Sequence, residues 1–235
     1  MSGSKNSVKN LMREYFPNAH HIHCYAHQLN LVIKKMCHSV PQVRLFFANI
    51  TGFSSYFSIS PKRSDVLRLI CEKKLPRAVE TRWNFQSRVV QSVFEIRNNL
   101  IDTFDHIMQD GNFDDISIRE ANGLKKLLQQ YKFVYWINFF NILLHHTDIL
   151  YNTFQNISTT AVSASNSVTV FLKAVQDVRN KTESFFDPVL TSRTSRTDKE
   201  NLPVIAKEVC DLTSINITDR FEKADHTSLI LYNMI

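Results

Sequence analysis

Histidines and cysteines crowd one short stretch of this chain: His20, His21, His23, Cys24, His27, Cys37 and His38. Such side chains hold zinc when four of them converge in a tetrahedral array. The spacing is wrong for that. Cys24-x-x-His27 is followed, after nine residues, by the adjacent pair Cys37-His38. This pattern closes no finger, and neighbours on a helix point to different sides. No metal ligand is therefore expected. Cys24 reads as a small buried group, and His27 as a hydrogen-bonded side chain where a strand passes into a helix. A second pair, Arg82-Trp83, sets a cation beside an aromatic ring. That combination suits stacking on a nucleic-acid base, worth about 1–3 kcal/mol, although a tryptophan at a helix start can equally fill a packing junction.

Basic residues extend the potential for binding phosphate. Residues 1–90 carry 14 Lys and Arg against 4 Asp and Glu, a net of +10, whereas residues 91–235 carry 14 against 18, a net of −4. The two sums give the formal +6 of the whole chain. Such asymmetry points to a polyanion partner for the basic part; the plain alternative is a solvated basic face. Lys34, Lys35, Lys62, Arg63, Lys73, Lys74, Arg77, Arg82 and Arg88 are the candidate phosphate contacts, with Trp83 as the stacking residue.

The four cysteines are widely spaced in a chain long enough to bury a core without staples. Met1-Ser2-Gly3-Ser4-Lys5-Asn6 contains no apolar run of the kind that directs secretion. Reduced thiols, in the nucleus or cytoplasm, are the expectation. The most apolar stretch, Phe133 to Leu144, includes Asn138 and Asn141 and falls short of the roughly 20 residues a bilayer requires. It is expected to be a buried helix, and no membrane partner is expected.

A largely helical chain must position these residues. Glycine is scarce, at 4 of 235 residues, and apolar residues recur at helical spacing. Helices are predicted over 4–16, 26–37, 43–57 and 66–71, while His20 to Tyr25 alternates as one short strand would. One long helix is predicted from Trp83 to Gln109, capped by Thr81 and closed by Asp110-Gly111-Asn112. Two more follow, over 116–156 with a break near Lys132, and over 161–185. Residues 191–203 have almost no apolar side chains and read as a linker or mobile loop. Residues 204–235 read as a final helical segment.

Four pieces occur in order near the start: Met1-Ser2-Gly3, Tyr15-Phe16-Pro17-Asn18-Ala19, His23-Cys24-Tyr25-Ala26-His27 and Leu29-Asn30-Leu31. A fifth, Thr81-Arg82-Trp83-Asn84, follows. Together they resemble the signature of hAT-family transposases and their host-domesticated relatives, such as the zinc finger MYM-type proteins. The match departs from the family pattern where Phe85 takes the place of a serine after the Arg-Trp pair.

The resemblance implies a mainly α fold with one or two short strands. Residues 1–90 would be part of an RNase H-like α/β nuclease core carrying the C-x-x-H and R-W motifs. Residues 91–190 would be an all-α helical insertion domain, 191–203 a linker, and 204–235 a C-terminal helical segment. Cys24, His27, Leu29, Asn30 and Leu31 would be structural members of the motif. The family cuts DNA with two divalent metals held by three carboxylates. Its two aspartates precede the Met-Ser-Gly block, and no Asp or Glu stands here before Glu14. The expectation is a catalytically incomplete, nuclear, transposase-derived fragment that binds DNA and associates with itself or with related hAT proteins. No cofactor is expected, Mg2+ or Mn2+ entering only in a longer product. Two alternatives stay open: an active metal-dependent DDE-type transposase whose gene is truncated in this sequence, and a helical protein-interaction module.

Overall fold

The computed structural model describes residues 8–16, 24–76, 83–156, 158–191 and 196–221. In chain order these form α1 (Val8–Tyr15), α2 (Tyr25–Ser39), α3 (Pro41–Ser58), α4 (Pro61–Cys71), α5 (Trp83–Glu95), α6 (Arg97–Gln109), α7 (Asp115–Leu128), α8 (Tyr131–Gln155), α9 (Ala161–Asn180), a 3-10 turn (Thr182–Phe185), α10 (Pro188–Thr191) and α11 (Arg196–Phe221). The fold is mainly helical, and no strand occurs among the described residues.

Local chemistry sets most of the boundaries. Pro41 and Pro61 open α3 and α4, where a missing N–H costs nothing and φ is already helical. The Ser60 hydroxyl accepts from the Arg63 N–H at 3.4 Å, Asp114 from the Ser117 N–H at 2.7 Å, and Thr160 from the Ser163 N–H at 3.2 Å. Each satisfies a donor that the first turn leaves orphaned. At the other end, α4 stops on Glu72, which sits at φ 53° in the left-handed region.

α8 is the centre of the molecule. Thirteen of its 25 residues are buried, as befits a helix that is apolar nearly all round. It packs against α2, α3, α5, α7, α9 and α11. Aromatic rings dominate these contacts. Phe140 stacks on Phe46 at 5.1 Å and on Trp136 at 5.7 Å, and meets Phe47 edge-on at 4.8 Å. The Tyr135 hydroxyl donates to the Thr182 carbonyl at 3.0 Å and the Asn138 amide to the Phe185 carbonyl at 3.0 Å, fixing the 3-10 turn to α8. At one edge of the core, Tyr25 of α2, Phe154 of α8 and Phe221 of α11 form a ring trio with centroids 5.2–5.8 Å apart.

Several expectations change. Tyr25 begins α2 rather than ending a strand; His20 to His23 lie outside the described residues. The stretch 83–109 is two helices joined at Ile96, whose φ of −107° and ψ of 18° leave the helical basin. The expected linker 191–203 is helical from Arg196 onward, with Pro203 inside α11, because Leu202, Ala206, Val209, Cys210 and Ile217 continue a buried stripe. The break expected near Lys132 falls at Gln129–Gln130. The buried residues from Tyr25 to Ile217 form one continuous cluster. No helix among the described residues is long and apolar enough to cross a membrane.

Candidate nucleic-acid interface

Helix α2 presents three faces. Leu29, Val32, Ile33 and Met36 enter the core. Gln28 and Lys35 turn toward α11, where Gln28 is hydrogen-bonded by Arg220 and Lys35 donates to the Asn216 carboxamide oxygen at 2.9 Å. The third face carries His27, Asn30, Leu31, Lys34 and His38, spaced as one helical stripe, and lines a groove of about 740 Å³. Its other wall is the Arg44, Phe47, Ala48 and Thr51 face of α3, with Gln86 contributed by α5. A single residue, Val40, separates α2 from α3, which holds the two walls side by side.

The charge of this groove is one-sided. Lys34 and Arg44 line it, with His27 and His38 beside them, and among the described residues no Asp or Glu does. Neither Lys34 nor Arg44 has a carboxylate within ion-pair distance among the described residues. The Cys37 thiol also lines the groove, but burial pushes it well above its ordinary range and keeps it neutral. Apolar side chains line it as well: Phe47, which is buried, and Leu31, which is 37% exposed. The Asn30 carboxamide oxygen is buried and has no hydrogen-bond partner among the described residues.

The sequence-predicted contacts scatter. Lys34 lines the groove and its neighbour Lys35 faces α11. Lys62 donates to the Asn112 carbonyl at 2.5 Å and lies 4.4 Å from the Phe113 ring centroid. Arg63 is drawn inward: it donates to the Ser117 hydroxyl at 2.7 Å and the Tyr56 carbonyl at 3.2 Å, and pairs with Glu120 at 3.3 Å. Lys73 pairs with Glu95 at 2.8 Å, while Lys74 and Arg88 are exposed. Arg77 and Arg82 lie outside the described residues, and Trp83 is described only as the first residue of α5. Of the motif residues, Leu29 is buried, whereas Cys24 and His27 are exposed; Cys24 is thus not the buried group it was expected to be. Among the described residues, no group of three or more His, Cys, Asp or Glu side chains converges as a metal would need.

Arg44, Phe47 and Gln86 were not singled out from the sequence, and His38 was weighed only as a zinc ligand. For α3 the 44, 48, 51 spacing was the available signal, since it places Arg44, Ala48 and Thr51 on one helical face. What it lacked was the neighbouring wall.

A smaller pocket, of about 290 Å³, lies between α5 and α8 and includes Ser87, Gln91, Glu95, Asn141, His145 and Asp148. The Ser87 hydroxyl donates to one Asp148 oxygen at 2.5 Å, and the other oxygen is buried without a partner. Burial holds the Asp148 carboxyl above its ordinary range, against the lowering pull of Ser87, His145 and Arg88.

No protein-family model matches this chain, and no solved structure matches it.

Proposed function

We propose that this is a hAT-transposase-derived protein that binds DNA through the basic groove between α2, α3 and α5. The observation that carries this reading is the cation set Lys34 and Arg44, flanked by His27 and His38, around a groove that no carboxylate of the described residues lines. Phosphates are drawn to such a surface, and displaced counterions supply the driving force. The family resemblance supports the same face, since His27, Asn30 and Leu31 of the C-x-x-H-x-L-N-L motif all border it. On this reading residues 1–90, α1 to α4 and the first part of α5, derive from an RNase H-like core, residues 91–190 correspond to the helical insertion, and the protein acts in the nucleus by binding rather than by strand cleavage.

The test is DNA affinity as a function of salt. Log affinity is expected to fall linearly with log salt, and Lys34→Ala and Arg44→Ala each to reduce the slope by about 0.7–0.9. Lys35→Ala, on the face turned to α11, leaves the slope unchanged. An affinity insensitive to salt, or a slope untouched in the Lys34→Ala/Arg44→Ala double variant, overturns the proposal.

A further inference from the structure

We infer that His27 and His38 are phosphate contacts alongside Lys34 and Arg44, so that DNA binding in this groove takes up protons and strengthens on mild acidification. The inference rests on the DNA-binding reading and adds proton control to it.

The placement of the two imidazoles carries the argument. Both are exposed, and both line the groove. On α2 they fall three turns apart, about 16 Å along the axis and within about 20° of one line. Lys34 lies between them on the same stripe. The row His27, Lys34, His38 thus carries one permanent charge and two that depend on a proton. Each DNA strand presents a phosphate about every 3.4 Å of helix axis. A row of this length spans several phosphates, and the two imidazoles need not share one.

The charges around the row set the direction of the effect. Helices α3, α5, α8 and α11 pack against α2. α3 brings Arg44 to the groove and α5 the uncharged Gln86, while no described residue of α8 lines it. α11 meets the adjoining face, where Arg220 bonds Gln28 and Lys35 bonds Asn216. The Cys37 thiol stays neutral, because burial raises it. Among the described residues no carboxylate lines the groove, so an imidazolium there finds no counter-ion in the lining. A phosphate supplies one. Histidine is the side chain whose ordinary pKa, about 6.5, brings this difference into the neutral range. A ligand that binds the protonated form more tightly draws protons on as it binds.

Fluorescence anisotropy with the full chain and one DNA duplex tests this, through salt titrations at about pH 8 and about pH 5.5, either side of the ordinary histidine range. Each imidazolium that meets a phosphate adds about 0.9 to the slope of log affinity against log salt. The slope is therefore expected to steepen by about 0.9–1.8 at the lower pH. In His27→Gln/His38→Gln that difference is expected to vanish. In His106→Gln, exposed on α6 and outside the groove, it is expected to persist. Calorimetry of the wild-type chain near pH 6.5, in two buffers of different ionisation heat, is expected to show net proton uptake and needs no variant. Equal salt slopes at the two pH values, no proton uptake, or a pH response that survives in the double variant overturns the inference and leaves the DNA-binding reading in place. Absence of salt-dependent binding at both pH values overturns both.

Discussion

Arg63 lies over the face of Tyr56, its guanidinium carbon 4.2 Å from the ring centroid, and also donates to the Tyr56 carbonyl. The tyrosine hydroxyl donates in turn to the Ser117 carbonyl at 3.0 Å. Burial, opposed by the nearby guanidinium charge, pushes the Tyr56 hydroxyl up to about 12. The pair pins α3, α4 and α7 together, so this arginine is part of the scaffold. A basic residue next to Lys62 in sequence thus serves the fold rather than a phosphate.

Arg63→Ala is expected to cost about 2–3 kcal/mol, because its side chain is only 12% exposed and its removal leaves buried partners unsatisfied. Glu120→Gln, at a side chain 52% exposed, is expected to cost less than about 1 kcal/mol. Urea unfolding of the two variants checks the contrast; equal losses would show the ion pair, not the hydrogen-bonded fork, to be the stabilising part.

Asp148 makes stability depend on pH in a defined direction. Its folded-state pKa is raised by burial, so between the unfolded and folded values the native chain holds the proton more tightly. The contribution of the neutral carboxyl is complete at low pH and is lost as pH rises through the folded pKa. Asp148→Asn is therefore expected to melt above wild type near pH 7, with the difference shrinking below the ordinary carboxylate range. Thermal melts across pH measure it, and a difference that grows on acidification would refute the assignment.

Glu72 occupies a left-handed conformation that disfavours a side chain with a Cβ. Its backbone N–H still closes the helix on the Arg68 carbonyl at 3.1 Å. Glu72→Gly is expected to stabilise by about 0.5–1 kcal/mol, relief of the local strain exceeding the extra freedom of the unfolded chain. Denaturant midpoints decide it.

Among the four thiols, Cys24 is exposed while Cys37, Cys71 and Cys210 are buried. Burial raises the Cys71 thiol and pushes Cys210 up to about 12, which removes the reactive thiolate. Native alkylation followed by mass spectrometry is expected to label Cys24 rapidly and the other three only on unfolding.

The helical character was legible because Phe133, Phe139, Phe140 and Leu143 already show the density of a buried helix, and because Gln129-Gln130 interrupts it. The joint at Ile96 was not. Val89, Val93, Ile96, Leu100 and Phe104 are all buried, and their period runs through the kink without a gap. The segment around Pro203 misled for the opposite reason: a polar run and a proline suggest a loop, yet α11 is held by its packing on α9 and α2. At the groove, the spacing of His27, Asn30, Leu31 and Lys34 on one face was computable. That Arg44 stands across from them depends on how α2 and α3 pack, which no local pattern encodes.

The ring trio of Tyr25, Phe154 and Phe221 has a consequence for synthesis. Gln28 and Arg220, beside it, are 192 positions apart, and at ~5–20 residues per second a ribosome needs about 10–40 s to translate that interval. Until then the newly made Tyr25 has no Phe221 to meet, and the Gln28 and Lys35 side of its helix stays wet, although α3, α5 and α8 can already cover its apolar side. That edge of the nascent polypeptide thus closes only when a segment translated much later arrives.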